Sequence, residues 1–238
     1  MESNSSIFDE NAEFYGRIKP SWHDYYLLEF IKCHRNTRGS LLDVGGGSGI
    51  FSTLVKNMDP SIDVTIVDPS QILLNKVPDI GIKKTRGSLP DNLNLEPDLV
   101  FGYIHLREVI HHIVGHTEKD SKDLAVKSLM ILRNHLDDNG YIMIHELFYE
   151  GYIIPSISRS IIFHLLNFQN NIGIKVPSRE FLNGLQVCFY ARNEFNLLLA
   201  SCGYRLVDQK IDFWESHWKK RALMIKKWGT MILIAKKF

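Results

Sequence analysis

Two carboxylates and a run of glycines carry the chemistry that is legible first in this chain. Asp43 closes the apolar stretch Leu41-Leu42, and after Val44 come Gly45, Gly46, Gly47 and Gly49, four glycines in five positions. Glycine lacks a Cβ, so backbone at these positions can turn sharply and approach a ligand closely. A bare tight turn does not need so many, because each costs chain entropy on folding. Asp68 stands about 20 positions further on, the spacing at which an acidic residue meets a ribose in dinucleotide folds. One carboxylate can accept from both ribose hydroxyls at once. A second group, Glu108, His111, His112, His145 and Glu146, supplies side chains able to take a proton from a reacting hydroxyl or amine. Histidines in such positions also pack or cap, and both roles stay open. His112 and His116 have the i, i+4 spacing of metal ligands, but Gly115 interrupts the helix and no third ligand stands near, so no metal site is read.

The glycines need a strand before them and a helix behind. Leu41–Val44 reads as the strand, and Phe51, Leu54, Val55 and Met58 recur at helical spacing. The N-terminus of that helix offers unpaired N–H groups to an anionic ligand group. Further strands are expected at Val64–Val67, Gly81–Thr85 and Tyr141–Leu147, the last after a turn at Asp138-Asn139-Gly140. The fourth strand is either Asp98–Phe101 or Phe101–Leu106. The second choice is preferred, because it places Glu108-Val109-Ile110-His111-His112 directly after the strand. Helices are expected at Trp22–His34 within an N-terminal segment 1–35, with Ser21 and Asp24 as a capping box, at Gln71–Lys76 and at Asp120–Leu136. Phe195, Leu198, Leu199 and Cys202 form another stripe before a strand Tyr204–Ile211, and Thr230–Ala235 closes the chain. The connection Asp212–Gly229 is long enough to hold a helix. Residues 148–190 fit no sheet element and carry one amphipathic helix on Ile157, Ile161, Ile162, Leu165 and Leu166. Alternating strands and helices predict one α/β domain over 1–238 with a doubly wound, mostly parallel sheet.

Composition narrows the partners. The chain has 238 residues, 45% hydrophobic and 23% charged, with a formal net charge of +1. That balance gives no electrostatic case for a nucleic-acid or membrane partner. Cys33, Cys188 and Cys202 are scattered and odd in number, which argues against a disulfide framework or a zinc site. No signal peptide and no apolar run of about 18 residues is read, so a cytoplasmic location is expected.

The glycine loop decides between cofactor classes. Read from Gly45, the nicotinamide fingerprint G-x-G-x-x-G fails at Ile50, and no Gly-Lys-Ser/Thr follows for a P-loop. The frame G-x-G-x-G after Asp43-Val44 is complete. It resembles motif I of the class I S-adenosylmethionine-dependent methyltransferases of small-molecule type. The resemblance implies a seven-stranded sheet whose last strand is antiparallel. It places Gly45, Gly46, Gly47 and Gly49 along the amino-acid end and ribose of S-adenosylmethionine, with Asp43 orienting the ammonium and Asp68 and Pro69 at the ribose. Ser88 and Leu89 stand where relatives often carry an acidic residue for the adenine. Leu106 and Arg107 approach the methionine end. Tyr15, in Phe14-Tyr15-Gly16-Arg17, either folds over the cofactor or packs. His111 and His112 are the catalytic candidates, and 148–190 is expected to form an apolar lid favouring a small, partly hydrophobic acceptor. The alternatives are an RNA or protein methyltransferase, a cofactor-binding protein without transfer activity, and a nicotinamide oxidoreductase.

Overall fold

The computed structural model describes residues 9–15, 19–34, 39–172, 186–215 and 223–238. A short helix α1 (Ala12–Tyr15) and a longer one, α2 (Trp22–Cys33), precede the sheet. The expected cap is present, since the Asp24 carboxylate accepts the Ser21 N–H at 2.6 Å. There follow β1 (Ser40–Val44), α3 (Ile50–Met58), β2 (Asp63–Asp68), α4 (Gln71–Leu74), β3 (Ile82–Arg86) and β4 (Phe101–Arg107). The second half holds α5 (Glu118–Asn134), β5 (Leu136–Gly151), α6 (Ile157–Ile172), α7 (Arg192–Ser201), β6 (Tyr204–Phe213) and β7 (Ile225–Lys237).

The strands form one seven-stranded sheet in the order β3-β2-β1-β4-β5-β7-β6. Strand β7 runs antiparallel to both of its neighbours, and the pairings among β1 to β5 are parallel. Side chains alternate across each strand, which sorts them into two cores. Ile104 and Leu106 of β4 join Leu129 and Leu132 of α5 and Phe195 and Leu199 of α7 on one face. Tyr103 of β4 joins Leu27 and Ile31 of α2 and Phe51 and Val55 of α3 on the other. Burial on both faces is what a parallel sheet requires, and it leaves the carboxyl ends of the central strands for function.

Several sequence expectations need correction. Strand β5 begins at Leu136, so the residues expected to end α5 and form a turn at Asp138-Asn139-Gly140 are extended. Leu136 pairs with Phe101 across a register shift, and a Cβ at Gly140 would lie 2.9 Å from the Gly102 carbonyl. Glycine there admits the close approach of β4. At its other end β5 continues through Phe148–Gly151, inside the stretch expected to hold no strand, because β7 pairs with it over that length. Likewise β6 and β7 extend into the connection Asp212–Gly229. The helix expected there falls on residues 216–222, outside the described residues.

Helix α6 is present as its periodicity predicts, and Ile162 and Leu166 pack with Tyr149, Ile225 and Trp228. Its root is fixed by Arg159, whose Nε and Nη2 donate to the two carboxylate oxygens of Glu194 at 2.6 and 2.7 Å. Such a two-pronged pair is strongly oriented.

Candidate functional site

Strands β1, β2 and β4 end side by side, and the segments leaving them enclose a cavity of about 430 Å³. That lies within the range of small-molecule sites. The glycine loop is folded back over the strand ends, with the Gly45 N–H donating to the Val67 carbonyl at 2.7 Å. Gly45 has φ +69°, and a Cβ on it would lie 2.5 Å from Cγ2 of Val109. Gly47 differs. Its φ is +55°, and a Cβ there would meet only Leu73, at 3.8 Å, so the space beside it belongs to the cavity. Gly49, with φ +77°, caps α3 and does not line the cavity.

Asp68 lies on the wall with both oxygens engaged. Oδ2 accepts the Gly47 N–H at 2.9 Å and Oδ1 accepts the Ser70 N–H at 2.8 Å. Burial raises its pKa to about 6, against the lowering effect of those two N–H groups. Asp43 also touches the cavity, but as part of its floor. Its Oδ2 accepts from Ser52 Oγ at 2.6 Å and its Oδ1 from His105 Nδ1 at 2.8 Å. At 1% exposure Asp43 is the more deeply buried of the two carboxylates, and each of its oxygens, like those of Asp68, already accepts from one protein donor. His105 was not among the sequence candidates. The available signal was a polar residue two positions before Arg107 on an apolar strand, hence on the same face.

The post-β4 segment forms the opposite wall. Arg107 lines the cavity, and its Nη1 donates to Asp24 Oδ2 at 3.1 Å. Leu106, 0% exposed, points into the α5–α7 core instead. Glu108 has φ +55°, a backbone state that costs a residue with a Cβ about 1–2 kcal/mol. Of the histidine pair, His112 reaches the cavity and His111 does not. His111 is buried, and its Nδ1 lies 2.7 Å from Oε2 of Glu146, whose Oε1 accepts the Ile110 N–H at 2.6 Å. Burial lowers the His111 pKa, yet the Glu146 carboxylate and then Glu108 carry it above its ordinary value. His112 is pushed well below its ordinary value by burial and then by His111. It is therefore neutral near pH 7.

Tyr15, Pro69, Ser88 and Leu89 complete the set that the structure gathers around the cavity. Burial, then the carboxylates of Glu108 and Asp68, raise the Tyr15 hydroxyl to about 12. Segment 9–15 is tied across the site by Ser70 Oγ donating to Asp9 and by Lys76 donating to the Ala12 carbonyl at 2.9 Å. No described residue of 148–190 lines the cavity; the apolar wall comes from Val109, Ile113, Val114 and Leu124.

Charge discriminates between ligands here. Asp43, Asp68, Asp91 and Glu108 line the cavity, against one guanidinium, that of Arg107, which is already paired with Asp24. A cationic sulfonium and ammonium suit such walls, whereas a pyrophosphate would meet repulsion. Among the described residues, no group of three His, Cys, Asp or Glu is arranged to hold a metal.

A family model described as a methyltransferase domain matches residues 20–209. The chain belongs to that family. This methyltransferase shares its fold with the CcbJ methyltransferase from Streptomyces caelestis, at a TM-score of 0.61 and 12% identity, covering 96% of each chain. Magnesium protoporphyrin IX methyltransferase from Synechocystis PCC 6803, solved with bound S-adenosylhomocysteine (SAH), gives a TM-score of 0.60 at 12% identity, covering 99% of this chain and 95% of that one. The DhpI–SAH complex gives 0.58 at 14% identity, covering 99% and 96%. No curated protein matches by sequence. The family match, the complete motif I and the negative cavity agree on an S-adenosylmethionine-dependent methyltransferase. Among the described residues, no helix is long and apolar enough to cross a membrane.

Proposed function

We propose that this methyltransferase transfers the methyl group of S-adenosylmethionine to an oxygen or nitrogen of a small, partly apolar acceptor in the cytoplasm. The observation that carries the reading is the cavity, which joins the glycine loop, the Asp68 carboxylate and an apolar wall in one small-molecule-sized space. Residues Gly45 to Gly47 hold the amino-acid end, Asp68 and Pro69 the ribose, and Ser88 and Leu89 the adenine. The free thiols of Cys33, Cys188 and Cys202 are in keeping with a reducing compartment.

When bound, the cofactor supplies an electrophilic methyl group on a sulfonium sulfur. The protein's part is to align a nucleophile and keep water away. Val109, Ile113, Val114 and Leu124 exclude water from the wall beyond Glu108. His112, neutral and on that wall, takes the proton of a hydroxyl acceptor, while the Glu146–His111 pair fixes the turn that carries it.

A panel of phenols and primary amines, scored by SAH release, tests the reading. His112→Phe should lower turnover on the accepted member by about 10²–10⁴-fold while SAH affinity stays at the wild-type value. Undiminished turnover would leave proximity as the whole of catalysis. Ser88→Ala should weaken SAH binding less than Asp68→Ala does, because a hydroxyl is a weaker partner than a carboxylate. The reverse order in calorimetry would mean that the ribose and adenine ends are exchanged.

A further inference from the structure

Two of the carboxylates that line the cavity, Asp91 and Glu108, have no task in the protein, and Asp91 is exposed to solvent whereas Glu108 is partly buried. Asp43 is held by Ser52 and His105, Asp68 by Gly47 and Ser70, and Asp24 by Arg107 and the α2 cap. The Glu108 side chain lines the cavity, and among the described residues its carboxylate makes no hydrogen bond and no ion pair. Arg107, next to it in sequence, is turned to Asp24 and not to Glu108. The Glu108 backbone is held in the left-handed region at φ +55°, its N–H donating to the His145 carbonyl at 2.8 Å. A non-glycine residue kept in that state, with a carboxylate that makes no hydrogen bond among the described residues, points to a partner from outside. His111 and Arg107 attract the Glu108 carboxylate from a distance, but each is bonded to another carboxylate, Glu146 and Asp24, so a cation in the cavity would be its first direct partner.

We propose that Glu108 is the receptor for a cationic nitrogen in this cavity, an ammonium carried either by the amino-acid end of the cofactor or by an amine acceptor. The proposal rests on the cofactor reading given above. It assigns the unpaired carboxylate a binding role and, in the second case, names the acceptor class as amines.

Calorimetry with three probes on wild type and Glu108→Gln separates the two sources. The probes are SAH, its analogue lacking the amino group, and benzylamine against benzyl alcohol titrated into the SAH-saturated protein. If the cofactor supplies the ammonium, Glu108→Gln loses at least tenfold in SAH affinity and binds the deaminated analogue as wild type does. If the acceptor supplies it, SAH affinity is unchanged, and benzylamine binds the wild-type complex but not the variant complex, with benzyl alcohol binding neither. Either result supports the proposal. SAH bound equally by both proteins, with benzylamine indifferent to Glu108, overturns it while leaving the cofactor reading intact. A wild-type protein that fails to bind SAH removes the cofactor reading and the proposal together. Glu108→Asp, which keeps the charge, should recover most of the affinity, and a loss common to Asp and Gln with a lowered melting temperature would mean a structural role and also overturn the proposal.

Discussion

Gly47→Val is expected to lose at least 100-fold in affinity for S-adenosylmethionine and SAH, equivalent to about 2.8 kcal/mol. The residue sits at φ +55°, and beside it a Cβ would find nothing nearer than Leu73 at 3.8 Å. Two effects add. A branched side chain fills the space reserved for the ligand, and a β-branched residue is a genuine outlier at positive φ. The second effect threatens the loop as well as the ligand, so the melting temperature of the free protein belongs beside the titration. Gly47→Ala separates the two, since it keeps most of the strain and little of the bulk. Near wild-type SAH affinity in a folded Gly47→Val protein would mean that the cavity beside the loop is not where the cofactor lies.

Asp68→Ala should weaken SAH binding by about 1.5–3 kcal/mol, the range for hydrogen bonds to a charged group. That corresponds to roughly 10- to 150-fold. The same residue sets a pH dependence. Burial raises its pKa to about 6 from the 3.8 of the unbound group. A carboxyl with a higher pKa folded than unfolded holds its proton more tightly in the fold. Its contribution to stability is therefore lost as pH rises from 3.8 through 6, at a cost of order 3 kcal/mol above that window. Ligand binding runs the other way, because the ionised form is the better acceptor for ribose hydroxyls. SAH affinity should fall by up to about tenfold per pH unit below 6, and Asp68→Asn should lack that step. A flat profile between pH 5 and 7.5 in wild type would show that Asp68 is not the ribose acceptor.

What the sequence made legible was local. The glycine loop, the acidic residue ending β2 and the helix α3 each lie within a short window, and their spacing alone placed them. The post-β4 segment was legible for the same reason, once β4 was taken to end beside Glu108. Contacts made across the sheet were not. The partner of His111 is Glu146, and that of Arg107 is Asp24. No spacing rule links residues that far apart, so a histidine pair that looked equivalent in sequence divides into one buried structural ring and one cavity wall. Asp43 illustrates the same limit, because only the register of β1 against β4, which sets Asp43 beside His105, shows that its carboxylate is already engaged. The lengths of β5 and β7 were underestimated because each strand is extended by pairing with the other, well past the β-branched runs that mark their centres.

The activity of this methyltransferase depends on which ligand fills the cavity between the glycine loop and Glu108. Titration calorimetry of the wild-type protein with SAH and, separately, with NAD tests it most directly. One SAH per chain with no measurable heat from NAD is the result expected from a net-negative cavity and an intact G-x-G-x-G loop. Saturable NAD binding without SAH binding would contradict it.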